Sequence, residues 1–225
     1  MPGSIIAFST TNGPRQGYLT TPTSGQGPAV IVIQEWWGLV DHIKQVADRF
    51  AEAGFVALAP DLYHGSRTSQ PDEAGRLMMA LNIDGAANDL SGAVEFLLKH
   101  PAVKGDKVGT VGFCLGGQLS LMTACTDARV GACVDYYGVH PQIHPDFNRL
   151  ACPVLGFFGA LDGFVTPAAA NALEADIRQA GKSVQFNIYP DADHAFFNDS
   201  RPDVYHPAHA TESWNKMLSF FRANL

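Results

Sequence analysis

The chain has no C-x-x-C pair. Its four cysteines, at positions 114, 125, 133 and 152, are dispersed, a spacing that signals neither a zinc site nor a dithiol redox motif. A reduced, cytoplasmic setting is the expectation, because a free nucleophilic thiol persists there. Lys and Arg never form a run, and the net charge is −7; nucleic acid is therefore not an expected partner. The amino-terminal stretch "MPGSIIAFSTTNG" lacks the basic start and long apolar run of a signal peptide or membrane anchor, so no membrane partner is expected either. No Pro/Gly/Ser-rich linker, repeat or low-complexity tract interrupts the sequence. Its 225 residues are read as one domain, 1–225, long enough for one sizeable core. With 16% charged and 46% hydrophobic residues, the composition is globular.

What is present is an alternation of strand-like and helix-like stretches. "SIIAF" and "QGYLT" read as an early antiparallel pair. "AVIVIQ" (29–34) is a β-branched run suited to a strand buried on both faces. "VDHIKQVADRFAEAG" places Ile43, Val46, Ala47 and Phe50 on one helical face and stops at Gly54. "FVALAP" (55–60) is the next strand, and "DLYHGSRTSQPDEAG" (61–75) reads as loop. A long helix is expected over 84–100, then the strand "KVGTVGF", a helix from Leu115, and the strands "ACVDYYG" and "VLGFFG". A helix between Pro167 and Gly181, the strand "SVQFNIY" and a final helix from His206 close the sequence. Such alternation predicts an α/β fold: a doubly wound, mainly parallel sheet with helices on both faces and ligands at the carboxyl ends of its strands.

Three reactive residue types fall just past predicted strands. Cys114 follows "KVGTVGF", Asp162 follows "VLGFF", and His194 follows "SVQFNIY". The order nucleophile, acid, histidine is that of α/β-hydrolases. Gly112 and Gly116 permit a sharp turn that lifts residue 114 into an exposed elbow, and Gly117 lets helix and strand approach. The helix start favours a thiolate, and the Leu115 N–H is free to meet an oxyanion. Imidazole relays the proton, and a carboxylate holds its tautomer. Cys125, Cys133 and Cys152 lie in or beside apolar segments and read as core. Among the other histidines, His140 with His144 and His206 with His209 have ligand-like spacing, but no third ligand recurs nearby; neither a metal nor another cofactor is expected.

On "QEWWG", "APDLYHG", "VGFCLGG", "VDYYGV", "GALDGFVTP" and "DADHAFFN", the sequence resembles the dienelactone hydrolase family (carboxymethylenebutenolidase-like) of the α/β-hydrolase superfamily, from about Ile5 to Phe221. The resemblance implies Cys114 as nucleophile, His194 as base and acid, and Asp162 as its orienting carboxylate. It implies that Glu35 takes part in switching the thiol to thiolate. It also gives an oxyanion hole from the backbone N–H groups of Trp36 and Leu115, and a pocket-lining aromatic at Tyr137. Read on its own, Glu35 ends an apolar strand before two tryptophans, an environment that favours its protonated form; the alternative is a salt bridge to a surface arginine.

The sequence also departs from the family. Prototype members hold the substrate carboxylate with two arginines and a serine beside the histidine. Here Ala195 follows His194, Asn198 replaces one arginine, and the other falls near Pro71, with only Arg67 and Arg76 in the neighbourhood. Trp36, Trp37, Met78, Tyr137, Phe164 and Phe196 are expected to edge an apolar pocket instead. The expected activity is a cysteine-dependent hydrolysis of small neutral esters or lactones through a thioester, in a monomer or small homo-oligomer. The alternatives are an acyltransferase or thioesterase, a hydrolase of other activated esters including phosphoesters, a non-catalytic binding module, and a redox sensor at Cys114.

Overall fold

Strand β3 (Gly27–Ile33) is buried on both faces, and its side chains alternate between two cores. Val30 and Val32 point into one apolar cluster, Ala29, Ile31 and Ile33 into the other, as the two-residue period of a central strand requires. The computed structural model describes residues 2–138 and 140–225; Val139, the last residue of "VDYYGV", lies outside the described residues. Around β3 the chain builds a sheet of eight strands. β1 (Ser4–Thr10) and β2 (Gly13–Thr20) form the expected antiparallel hairpin, and β2 pairs antiparallel with β4 (Val56–Pro60). From β4 onward every pairing is parallel, through β3, β5 (Val103–Phe113), β6 (Val130–Tyr136), β7 (Val154–Gly159) and β8 (Val184–Tyr189).

Helices cover both faces. α1 (Asp41–Glu52) packs Ile43, Val46 and Phe50 into one core, joined there by Met217 and Phe221 of α6 (Pro207–Asn224). α3 (Ile83–Lys99) and α4 (Leu115–Thr126) cover the opposite face through residues such as Leu90, Val94 and Leu119. α5 (Pro167–Gln179) begins with Thr166 Oγ1 accepting from the Ala169 N–H, and the chain leaves it through Gly181 at φ 73°, the left-handed exit that glycine permits.

One element differs from the expectation. The stretch 61–75, read as loop, contains the start of α2 (Pro71–Ala80). A proline and two acidic residues open this helix, as helix starts favour, but Ala74 is its only fully buried residue. A helix so lightly anchored leaves little apolar periodicity to read. Among the described residues, no helix is long and apolar enough to cross a membrane.

Candidate active site

The turn from β5 into α4 holds Cys114 at φ 55°, ψ −122°, a backbone region that L-residues avoid. The surrounding glycines make the turn possible. A Cβ on Gly112 would strike the carbonyl of Gly116, and one on Gly116 would lie 2.5 Å from the carbonyl oxygens of Ile33 and Gln34. The Cys114 N–H donates to Tyr136 O at 3.0 Å, which fixes the elbow to the adjoining strand. Cys114 is partly exposed, while Cys125, Cys133 and Cys152 are buried. Burial pushes the thiols of Cys125 and Cys152 up to about 11 and about 12, so both stay neutral.

Asp162 lies just past β7 and is almost fully buried. Its Oδ1 accepts from the N–H groups of Phe164 and Val165, each at 2.7 Å, and its Oδ2 lies 2.7 Å from His194 Nδ1. That bond assigns the His194 proton to Nδ1. Burial alone would pull the pKa of His194 down; its interactions with Asp162 and Cys114 push it up to about 10. The rings of Tyr137 and Phe164 flank the imidazole at 5.1 and 5.3 Å.

Glu35 is 1% exposed, and its Oε2 accepts from Asn198 Nδ2 at 2.7 Å. Desolvation raises its pKa, against the opposing pull of His42, His194, the Asn198 hydrogen bond and Arg201. The surface salt bridge is thereby excluded for Glu35: its partner is a buried amide. Trp36 follows in a turn, and its N–H donates to no backbone carbonyl among the described residues. Leu115 is the first residue of α4, where an N–H has no intrahelical partner.

Glu35, Cys114 and His194 border one cavity of about 390 Å3, with Trp36, Trp37, Met78, Tyr137 and Phe164 in its wall. A thiol, an oriented imidazole and the Trp36 backbone share this cavity, and Leu115 directly follows Cys114 in the chain; a thiol, a base and N–H donors are the kinds of group that acyl transfer uses. Wider surface hollows of about 580 and 620 Å3 contain neither cysteine nor serine among their described residues. One expected wall residue is elsewhere. Phe196 is fully buried, with its ring packed against Tyr137 and Tyr189 at 5.5 and 5.4 Å; the positive φ of 62° at Ala195 turns the chain so that this side chain points inward.

Val165, Ala195 and Arg201 are wall residues that the sequence did not reveal, and Arg201 alone of them is charged. Arg201 has its guanidinium 2.7 Å from Asp203. No motif marks it; a turn closed by its N–H donating to Asn198 O brings it back beside the histidine loop. It modifies the expectation of a wholly apolar pocket. Of the neighbouring arginines, Arg76 pairs with Glu73 at the surface, and Pro71 itself stands in the cavity wall. Away from the cavity, His206 and His209 do have a third potential ligand, Asp191, which is 15 residues before His206 in sequence and close only in the fold.

The Dienelactone hydrolase family model matches residues 16–225. The chain is 36% identical over 231 residues to Protein usf of Aquifex pyrophilus, covering 99% of each. It is 32% identical over 230 residues to a Bradyrhizobium protein named "Probable 2-oxo-3-(5-oxofuran-2-ylidene)propanoate lactonase", covering 96% of this chain and 92% of the other. A solved structure described as a dienelactone hydrolase-like promiscuous phosphotriesterase from metagenomic libraries superposes with a TM-score of 0.88 at 26% identity, over 100% of this chain and 99% of that one.

Proposed function

Since the chain belongs to the dienelactone hydrolase family, we propose that its hydrolysis of esters or lactones runs through a thioester on Cys114. The Cys114 thiolate attacks the substrate carbonyl, and the oxyanion accepts hydrogen bonds from the Trp36 and Leu115 N–H groups. The carbon–oxygen bond breaks as the leaving oxygen takes a proton from His194. Water, deprotonated by His194, then attacks the thioester, and the thiolate departs with the carboxylic acid released. Asp162 keeps the His194 Nδ1 proton in place and stabilises the imidazolium.

The observation that carries this reading is the 2.7 Å contact between His194 Nδ1 and Asp162, on an imidazole that borders the same cavity as Cys114. His194, pushed up to about 10, is cationic at neutral pH. Glu35, desolvated and bonded to Asn198, is a reserve proton acceptor for the thiol when substrate reorganises the cavity. The wall of tryptophan, tyrosine, phenylalanine and methionine suits a small apolar acyl group, and Arg201 supplies one cation at that wall.

A second reading has the same thiolate attack phosphorus in an activated phosphoester; the likeness to the promiscuous phosphotriesterase favours it. One experiment addresses both. Cys114→Ala is expected to lower turnover of p-nitrophenyl acetate by about a thousandfold or more, while wild-type protein quenched early carries an acetyl mass on Cys114. Full activity in Cys114→Ala, or an acyl group on another residue, overturns the nucleophile assignment. A phosphoryl mass with paraoxon, without an acyl mass from esters, favours the second reading.

A further inference from the structure

His206 caps α6, and His209 stands three residues on, in its first turn, so both imidazoles lie on one side of the helix. Their rings stack with centroids 4.0 Å apart and planes within 24°, which directs both Nε2 atoms to the same side. Asp191, on the loop after β8, meets them there: Oδ2 lies 3.3 Å from His206 Nε2 and Oδ1 lies 2.5 Å from His209 Nε2. The three potential ligand atoms all fall within 4.8 Å of one another. We infer that Asp191, His206 and His209 form a binding site for a divalent transition-metal ion, with Zn2+ as the reference cation, separate from the catalytic cavity.

The donor set suits such an ion. Two imidazole nitrogens and one carboxylate oxygen are borderline ligands that Zn2+ accepts in open-sided sites, with water completing the tetrahedron. Ligand atoms around a tetrahedral ion at about 2.0–2.1 Å sit roughly 3.3 Å apart. Asp191 turns Oδ2 to His206 and Oδ1 to His209, so binding an ion through one oxygen requires its carboxylate to rotate and draw back from His209 by roughly 1 Å. Asp191 can make that movement, because its side chain is 64% exposed. The histidine it must leave behind is held still: the His209 ring is mostly buried and stacks on Tyr189 at 4.3 Å and 20°.

Proton bookkeeping is compatible with the same assignment. Without metal, the His209 Nε2–H donates to the carboxylate while His206 Nε2 lies 3.3 Å from it; with metal, the ring proton sits on Nδ1 and Nε2 offers its lone pair. At His209 the shift gives up the Nε2–H bond to Asp191, which the ion replaces, and disturbs no bond at Nδ1, which is buried with no hydrogen-bond partner. At His206 it gives up a long bond, 3.4 Å, from the His209 N–H to Nδ1. The positive end of α6 also opposes a cation, and the Asp191 charge offsets it. These costs point to an exchangeable ion held more weakly than in closed four-ligand sites.

Titration calorimetry of chelator-stripped protein with Zn2+ tests the inference, with Cys114→Ser as the background so that the cavity thiol does not compete. One equivalent is expected to bind. His206→Gln, His209→Gln and Asp191→Asn should each weaken that binding at least about tenfold, whereas His64→Gln, which alters a histidine paired elsewhere with Asp89, should leave it unchanged. Zn2+ should also raise the melting temperature of the parent and not of the Asp191→Asn variant. The exposed Asp191 and half-exposed His206 can be changed without disturbing the core, so those two variants decide the outcome if His209→Gln fails to fold. Absence of saturable binding, or binding unchanged in both of them, overturns the site.

Discussion

Four described residues other than glycine carry positive φ angles; three of them, Cys114, Tyr137 and Ala195, at 55°, 43° and 62°, border the same cavity, and His64, at 52°, lies outside it. Each such conformation costs about 1–3 kcal/mol, so most of this strain sits around Cys114 and His194. Glu35 is a further local cost, an acid held in a desolvated place. Its pKa is raised in the fold relative to an unfolded value of about 4.3. The unfolded chain therefore releases this proton first as pH rises. Stability associated with Glu35 is fully present below the unfolded pKa and is lost as pH climbs through the folded one. Glu35→Gln keeps an acceptor for Asn198 Nδ2 and removes the proton. Thermal melts should place the variant a few degrees above wild type near pH 8, with the gap closing toward about pH 4. Thiol alkylation across the same range is the companion measurement: profiles that coincide for wild type and Glu35→Gln would remove Glu35 from thiol activation.

The strand–turn–helix unit of β5 and α4 is set by its glycines more than by its apolar content. α4 is apolar on all sides and buried along nearly its whole length, so its placement depends on how closely it can approach β3 and β5. A methyl group on Gly116 would sit 2.5 Å from two carbonyl oxygens at the end of β3, and backbone cannot yield as a side-chain tip can. Gly116→Ala should cost about 3 kcal/mol or more by urea denaturation, and residual folded protein should be poorly active because the elbow has shifted. This turn was legible in the sequence because glycines at fixed offsets around a cysteine have few other uses. The eight strands and the long helices were legible too, because burial on one or both faces writes itself as a period. α2 was not, since a helix that buries only Ala74 leaves no such period. The direction of Phe196 and the return of Arg201 are decided by loop backbone angles, which residue types alone constrain weakly.

At the scale of the molecule, the parallel sheet brings four distant segments to one edge. Glu35 follows β3, Cys114 follows β5, Asp162 follows β7 and His194 follows β8, so the candidate site depends on strand order and register while the bulk of the core lies beneath it. Stability and turnover should therefore respond to different phenylalanines. Phe221 of α6 is fully buried, its ring 5.9 and 6.3 Å from Phe50 and Phe55 and in contact distance of the strand at Gly109, where an added Cβ would meet it at 2.7 Å. Phe164, by contrast, is 81% exposed and lies over His194 at the cavity mouth. Phe221→Ala should lose about 3–5 kcal/mol in denaturant titration, yet keep kcat/KM for p-nitrophenyl acetate near wild type well below its melting temperature. Phe164→Ala should change stability by less than about 0.5 kcal/mol and raise KM, because it removes apolar surface that a bound acyl group covers. If Phe221→Ala instead lost activity while still fully folded, the sheet edge would not be insulated from the α1–α6 face, and the site would have to be treated as continuous with that core.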